Sequence, residues 1–315
     1  MKSKNLHTFF EAMYHSKYNV EEFLFGDIQK EYSAFEVKGK TIYKASTKLK
    51  DFHKFLSLFV FEHFRTNDSV VFSFRKGNNV FNAVEMHAKN KFFLSTDIQN
   101  FFPSITKENV RELISRNIDS CPIIDIENYI DRIIELVVID NQLPIGFSTS
   151  PVISNSIMYE FDNEFYDYCN ENNLTYSRYA DDIIISSSQE INSNKIEVIQ
   201  SYLDKHSIAK LRINHKKTKI NHLGRKVKIL GLVILPNGKV TVDSKYKNDL
   251  ETLLHFYTKD KDKFIDKADG NLANGINLVK GYINYINSVD PDYIHKLRRK
   301  YGTTLIDIFV HKTNL

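Results

Sequence analysis

The chain has few cysteines and no long apolar run, and both absences restrict what kind of protein it can be. Its two cysteines, Cys121 and Cys169, lack the spacing of metal ligands. We expect free thiols in a reducing compartment, and a disulfide framework is excluded. The N-terminal segment contains no apolar run typical of a signal peptide, and no segment approaches the apolar length of a membrane span. These features predict a soluble cytoplasmic protein without a membrane partner.

Low-complexity tracts and fixed-period repeats are absent as well, and the composition is that of a globular protein. Hydrophobic residues make up 42% of the 315 residues, enough to fill a sizeable core. The net charge of +4 is only mildly basic. The charge is concentrated, however, because residues 205–228 carry nine Lys or Arg and three His without any Asp or Glu. A run of one sign and this length favours a polyanionic partner over a merely solvated surface.

The most informative stretch is Tyr179-Ala180-Asp181-Asp182, which lies between two segments rich in Tyr and Ile. Such segments favour strands, and the paired aspartates mark a turn between them. A tight hairpin would present two adjacent carboxylates, which repel each other unless they bind a cation or share a proton. Hard cations such as Mg²⁺ prefer oxygen ligands of this kind. A solvated Asp-Asp turn is the alternative for this stretch taken alone.

A third carboxylate ends a different strand. Residues 92–98 read as a buried strand that closes with Asp97, and a carboxylate there is costly unless it is hydrogen-bonded or bound to metal. Asp97, Asp181 and Asp182 together could hold two divalent ions, which would activate a hydroxyl and stabilise a leaving pyrophosphate. Phosphoryl transfer depends mainly on such positioning and charge neutralisation.

The remaining patterns predict the framework. Residue Ser150 is expected to cap a helix that begins at Pro151 and runs to about 170. The other expected elements are helical structure over 5–30, a basic β-ribbon over 34–46 with a turn at Gly39, helices over 48–65, 106–118, 126–139 and 193–206, a hairpin of 227–234 with 239–242, and helices after 244.

Five segments occur in the order and at the spacing of the motifs of reverse transcriptases, and the chain resembles that family from about 35 to 305. They are Asp97 with Phe101-Phe102, Gly146 with Ser150-Pro151, Tyr179-Ala180-Asp181-Asp182, Asn214-His215-Lys216-Lys217-Thr218, and Leu230-Gly231. The Tyr-Ala-Asp-Asp form is similar to the bacterial group, and the compact length is most similar to retron enzymes.

This resemblance implies a role for each matching residue. The Ile98 carbonyl would join Asp97, Asp181 and Asp182 in binding two Mg²⁺ ions. Lys217 would approach the triphosphate of the incoming deoxynucleotide and could protonate pyrophosphate. Phe102 would act as a steric gate against a ribose 2′-hydroxyl, so that the product is DNA. The other implied nucleotide-binding residues are Lys40, Gly146, Ser150, Pro151 and Tyr179.

Contacts with nucleic acid are expected at a second set of basic and turn residues. Leu230 and Gly231 would form a primer grip, and a plain surface role is the alternative for the basic loop that contains Arg75 and Lys76. The remaining expected nucleic-acid-binding residues are Lys216, Lys219, Arg225, Lys226, Arg298 and Arg299.

Three positions depart from the retron pattern. Ile145 stands where the family usually has Gln, the segment Asn82–His87 is one residue longer than the usual Asn-Ala-x-x-His, and Ile229-Leu230-Gly231 replaces Val-Thr-Gly. The segment Tyr159–Asn163 is similar to one subset of retron enzymes.

The expected fold class is α+β, a right-hand polymerase with a ferredoxin-like palm. The expected limits are fingers over 1–90 with helices of 106–140 at the junction, a palm over 91–240 and a small helical thumb over 241–315. A retron enzyme would copy a structured noncoding RNA from one of its 2′-hydroxyls into a branched RNA–DNA hybrid, with a separate effector protein in phage defence. A defence reverse transcriptase with another priming mode, a silent RNA-binding scaffold and a two-metal nuclease are the alternatives.

Overall fold

A computed structural model describes residues 4–224, 226–268 and 270–311. Short 3₁₀ turns aside, the elements in chain order are α1 (Leu6–Tyr14), α2 (Val20–Phe25), β1 (Tyr32–Val37), β2 (Lys40–Ala45), α3 (Thr47–Phe59), α4 (Val80–Glu85), β3 (Phe92–Asp97), α5 (Lys107–Asn117), α6 (Ile130–Val137), α7 (Ser150–Ile157), α8 (Tyr159–Glu171), β4 (Thr175–Tyr179), β5 (Asp182–Ser187), α9 (Lys195–His206), β6 (Lys219–His222), β7 (Val227–Ile229), β8 (Leu232–Ile234), β9 (Val240–Val242), α10 (Ser244–Lys259), α11 (Lys261–Asp266), α12 (Leu272–Val289), α13 (Pro291–Tyr301) and α14 (Thr303–His311).

The chain forms two compact units. The first contains residues 1–78, 94–185 and 191–220, and the second contains residues 79–93, 186–190 and 221–315. None of the described helices is both long enough and apolar enough to cross a membrane. The expected fingers, palm and thumb limits follow other boundaries and stay predictions.

Aromatic side chains fill the helical part of the first unit. Phe10 of α1 and Phe23 of α2 have ring centroids 5.3 Å apart, and each packs against Phe55 of α3. The hydroxyl of Ser46 accepts the Leu49 N–H at 3.1 Å and caps α3. The helix expected over 48–65 is confirmed, and its apolar face is buried as predicted. It ends earlier than expected, at Phe59, and a 3₁₀ turn over Phe61–His63 follows.

The expected β-ribbon is confirmed. Strands β1 and β2 pair in antiparallel fashion from Tyr32↔Ala45 to Val37↔Lys40. The two residues between them, Lys38 and Gly39, both have positive φ values (51° and 72°), as a tight hairpin turn requires.

A four-stranded sheet with the order β4-β5-β3-β6 brings the predicted carboxylates together. Helices α5 to α8 lie between β3 and β4, and α9 connects β5 to β6, so the connectivity is the βαββαβ arrangement of a ferredoxin-like fold with additional helices in its first crossover. The apolar runs of β3 and β5 are buried at Phe93, Leu94 and residues 183–185. Because β5 begins beside the end of β3, Asp97 and the Asp181-Asp182 pair lie at the same edge.

The second unit combines a small sheet with the C-terminal helices. Strands β7, β8 and β9 form an antiparallel meander. The single strand expected over 227–234 is wrong, because Leu230 and Gly231 take positive φ values (50° and 83°) and turn the chain between β7 and β8. Helical structure after 244 is confirmed, and α10 packs against α12.

Candidate active site

The end of β3 is tied to the Asp-Asp turn by backbone hydrogen bonds. The Ile98 N–H donates to the Asp181 carbonyl at 2.9 Å, and the Asn214 N–H donates to the Asp97 carbonyl at 2.8 Å. Asp97 is 7% exposed, whereas Asp181 and Asp182 are half-buried. Three carboxylates from distant parts of the sequence therefore share one site, as the strand pattern predicted.

Lys217 supplies a positive charge to this cluster. Its Nζ lies 2.6 Å from Oδ2 of Asp97, although 63% of the lysine side chain is exposed. This hydrogen bond raises the pKa of Lys217 above its ordinary value. Within the described residues, Oδ1 of Asp97 is buried and has no hydrogen-bond partner. One buried carboxylate oxygen is thus available to a further ligand.

Burial and mutual repulsion oppose ionisation of the paired aspartates. Burial, with the charges of Asp181 and Asp97, raises the pKa of Asp182 from 3.8 to about 6. Burial also raises the pKa of Asp181, while Lys217 and Lys40 act in the opposite direction. The site is therefore short of positive charge, which a cation would supply.

A cavity of about 610 Å³ opens beside these groups, within the range of small-ligand sites (roughly 300–1,000 Å³). The expected residues Lys40, Phe102 and Lys217 line it, and so do Ile98, Ile145 and Asn214. Phe102 is half-buried, whereas the neighbouring Phe101 is 3% exposed and belongs to the core. The charged cluster and the expected sugar gate therefore face the same space.

Gly146 is required by a close backbone approach. The Tyr43 N–H of β2 donates to the Ile145 carbonyl at 2.8 Å. A Cβ on Gly146 would lie 2.3 Å from the Tyr43 carbonyl oxygen, and φ is +107° there. Gly146 therefore allows the β1–β2 ribbon to approach and hydrogen-bond to the loop that carries Ile145.

The expected cap at Ser150 is wrong. Helix α7 includes Ser150 as its first residue, Thr149 is the N-cap, and no side chain caps the helix. The Ser150 hydroxyl instead donates to the Pro144 carbonyl at 2.8 Å, because the buried side chain turns back into its own loop. Pro151 lies in the first turn and Tyr179 is half-buried at the end of β4. Neither these two residues nor Ser150 is among those that line the 610 Å³ cavity, and their roles toward the nucleotide stay predictions.

Sequence reasoning missed a buried polar network beneath the turn. Arg178 and Asp162 are completely buried and form an ion pair, with Nη2 2.5 Å from Oδ2. Ser73 and Asn155 bond to the same network. An arginine between the buried residues of β4 is the signal that could have predicted it, since a buried charge needs a partner.

With this geometry established, comparison with known proteins identifies the family. The sequence profile described as "Reverse transcriptase (RNA-dependent DNA polymerase)" matches residues 32–234, well over half of the chain. The chain belongs to the reverse transcriptase family.

Curated relatives narrow this assignment. The retron Ec73 reverse transcriptase of Escherichia coli is 30% identical over 273 residues, which cover 83% of both chains. The retron Ec83 and Ec86 enzymes of the same species are 25% and 26% identical and cover 78% and 85% of this chain (77% and 79% of theirs). The chain is thus a retron-type bacterial reverse transcriptase, an RNA-directed DNA polymerase with the right-hand fold.

Among solved structures, telomerase from Candida albicans matches with a TM-score of 0.42 and 12% identity. This match covers 82% of the present chain and 47% of the telomerase chain. A likeness this weak adds nothing to the assignment.

Reverse transcriptases use divalent metal and deoxynucleotides, so the fit of the site to metal matters. In the part of the chain that the structure describes, no group of three or more His, Cys, Asp or Glu side chains stands in the arrangement of a bound ion. The donors are nevertheless suitable, because three carboxylates supply hard oxygen ligands and Oδ1 of Asp97 lacks a partner. The residues present therefore fit Mg²⁺.

The expected nucleic-acid contacts fall into two groups. Four are engaged within the protein: Arg75 pairs with Asp68 at 2.6 Å, Arg298 with Asp307 at 2.9 Å, and Leu230-Gly231 forms the β7–β8 turn. Five are exposed, namely Lys76, Lys216, Lys219, Lys226 and Arg299. Arg225 lies outside the described residues. Their contacts with nucleic acid stay predictions.

Replacing Asp182 by asparagine is expected to stabilise the metal-free protein at neutral pH. Since the folded-state pKa is raised to about 6, the ionised group opposes folding, and this cost grows as pH rises from about 4 to 6. Asp182→Asn should raise the free energy of unfolding by about 1–2 kcal/mol at pH 7.5, less than the full shift implies because the carboxylate keeps some solvent contact.

Urea unfolding with a chelator at pH 7.5 and pH 4 measures this effect. The gain should disappear at pH 4, where Asp182 is protonated in the folded protein. Asp119→Asn, at an exposed carboxylate, is the matched control and should change stability by less than about 0.5 kcal/mol at either pH. An equal gain at both pH values would contradict the raised pKa.

Proposed function

We propose that this reverse transcriptase copies a structured noncoding RNA into DNA in the cytoplasm, with Asp97, Asp181 and Asp182 as ligands of two Mg²⁺ ions. The observation that supports it is that Asp97 and Asp181 line the 610 Å³ cavity and that Asp182 lies close enough for their charges to raise its pKa. Bound Mg²⁺ ions would activate the attacking hydroxyl and stabilise charge on the leaving pyrophosphate. The Ile98 carbonyl is proposed as a further ligand.

The remaining polar groups of the site have complementary roles in this proposal. Lys217 lies 2.6 Å from Asp97 and is mostly exposed, so its ammonium can reach a triphosphate in the cavity and donate a proton to pyrophosphate. Lys40 lines the same cavity and adds a second positive charge for the phosphates. Because lysine lacks the fork of arginine, Lys40 acts as a point charge.

Removing both paired carboxylates should abolish DNA synthesis and spare RNA binding. The carboxylates contribute several kcal/mol of transition-state stabilisation through the metal, so Asp181→Asn with Asp182→Asn should lower the rate by about 1,000-fold or more. RNA affinity should survive because it comes mainly from Lys and Arg contacts with phosphate. Primer extension and filter binding measure the two quantities.

A matched control separates the site from the charge change. Asp119→Asn with Asp266→Asn removes two exposed carboxylates and should leave synthesis unchanged. Retained synthesis in the Asp181/Asp182 double variant would refute the assignment of the site.

Phe102 is proposed to exclude ribonucleotides. Its half-buried ring lines the cavity, where it would lie under the incoming sugar and clash with a 2′-hydroxyl. Phe102→Ala should therefore lower the preference for deoxynucleotides over ribonucleotides by about 10-fold or more in kcat/KM. Phe101→Leu, an apolar replacement at the adjacent core ring, should leave this preference intact. Unchanged selectivity in Phe102→Ala would exclude the gate.

The priming mode and biological role extend the proposal. By analogy with its retron relatives, the enzyme would start DNA from an RNA 2′-hydroxyl, leave a branched RNA–DNA hybrid and act with a separate effector protein against phage. Nucleic acid that copurifies from cells carrying the native locus should contain a 2′–5′ branch. Cells with the Asp181/Asp182 double variant should lose both the branch and phage resistance. A product without a 2′–5′ linkage would indicate another priming mode.

A further inference from the structure

The turn that carries Asp181 and Asp182 rests on a fully buried ion pair. The Arg178 guanidinium donates from Nε to Oδ1 of Asp162 at 2.8 Å and from Nη2 to Oδ2 at 2.5 Å. Tyr176 donates its hydroxyl to the same Asp162 at 2.7 Å. Both charged side chains have no exposed surface. Such a forked pair has one preferred orientation, and it therefore fixes where the rest of the guanidinium points.

A buried ion pair is weak evidence for stability, because desolvation offsets the attraction and apolar replacements often match it. Its better-supported use is to impose one arrangement on the groups around it. The remaining bonds of Arg178 show which groups these are. Its Nη1 donates to the Ala180 carbonyl at 3.0 Å and to Oδ1 of Asn155 at 3.1 Å.

Ser73 holds the other backbone group of Ala180. The Ser73 hydroxyl accepts the Ala180 N–H at 2.8 Å, and Nδ2 of Asn155 donates to the Ser73 carbonyl at 2.9 Å. The backbone of residues 70–72 is hydrogen-bonded to the backbone of Arg178. The Arg178 N–H donates to the Val70 carbonyl at 2.8 Å, and the Phe72 N–H donates to the Arg178 carbonyl at 3.1 Å. Buried side chains therefore hold both backbone groups of Ala180: Arg178 holds its carbonyl and Ser73 holds its N–H.

Ala180 needs this support because its backbone is left-handed. Its φ is 57°, in the left-handed region that is sterically unfavourable for a residue with a Cβ. The next residues in the chain are Asp181 and Asp182. The Asp181 carbonyl is bonded to Ile98 in turn. The orientation of the Asp181 and Asp182 side chains therefore depends on the backbone of Ala180, which Arg178 and Ser73 hold.

We propose that Arg178, Asp162, Asn155 and Ser73 form a positioning network that holds the Asp181 and Asp182 carboxylates ready for metal. The inference rests on the proposed function, which makes those carboxylates metal ligands. Arg178 and Ser73 bond to the turn, and Asp162 and Asn155 bond to those two side chains. All four act through the turn, so they are positioning residues.

Ser73→Ala is the sharpest test, because it removes one hydroxyl and leaves the buried ion pair intact. Loss of the Ala180 anchor should lower the single-turnover rate of nucleotide incorporation by about 10-fold to 100-fold, as small misplacements of catalytic groups do. The KM for deoxynucleotide should change by less than about 2-fold. The affinity of the protein for Mn²⁺ alone, followed by electron paramagnetic resonance, should fall by about 10-fold.

Ser156→Ala is the matched control. Ser156 is 3% exposed, and its hydroxyl bonds to the Val152 carbonyl within its own helix. The Ser156→Ala variant should keep the incorporation rate and the Mn²⁺ affinity of the wild type. Since a merely structural loss would lower both serine variants alike, the contrast between them isolates the turn.

Arg178→Lys provides a second variant of the same network. Lysine keeps the positive charge for Asp162 but lacks the fork that reaches Asp162 and Ala180 together. It should show the same selective loss of rate and Mn²⁺ affinity. Wild-type rate and Mn²⁺ affinity in both Ser73→Ala and Arg178→Lys would overturn the network. That result differs from failure of the proposed function, in which the Asp181/Asp182 double variant would itself remain active.

Discussion

Repulsion between three carboxylates at one partly buried edge of a sheet is the constraint on which this molecule depends. Burial and the neighbouring charges hold the pKa of Asp182 near 6, so the ionised cluster is unfavourable without a cation. The strand order places Asp97 beside the Asp181-Asp182 turn and thereby creates this cost. Lys217 and Lys40 relieve part of it, and the proposed metal ions would relieve the rest. A site of this kind sacrifices stability for function.

The surrounding protein must prevent the carboxylates from relaxing apart. Two kinds of restraint converge on the turn. Backbone hydrogen bonds fix it to β3 through Ile98, and the Arg178–Asp162 pair fixes Ala180 from beneath. The forked, fully buried geometry resists rotation in a way that a single surface contact does not. Rigid elements therefore carry the proposed metal ligands, as pre-organisation of a charged site requires.

Much of this arrangement could be predicted from the sequence, and the failures have physical reasons. The Tyr- and Ile-rich segments around the Asp181-Asp182 turn and the apolar strand ending in Asp97 predicted their elements, and the order of motifs predicted that they meet. The hydrogen bond between Ser73 and Ala180 could not be predicted, because it joins residues 107 positions apart through a register that no local pattern encodes. A cap at Ser150 is predicted because serine commonly caps helices, but the Ser150 hydroxyl donates to the Pro144 carbonyl in the preceding loop. The turn within residues 227–234 could not be predicted because Leu230 is apolar, like the strand residues around it, and differs from them only in its positive φ.

Arg178, which bonds to the turn, and Lys217, which pairs with Asp97, differ in burial and therefore in the roles open to them. Arg178 has no exposed surface, so its pairing with Asp162 is unscreened and removing either partner would leave an uncompensated buried charge. The Lys217 side chain is 63% exposed, although that of its partner Asp97 is only 9% exposed, so water reaches the ammonium but hardly the carboxylate. In the proposed function, this exposed ammonium would turn from Asp97 toward charge that develops in the cavity. The buried Arg178 would meanwhile hold the turn, so that the carboxylates stay in place while the phosphates of the substrate change.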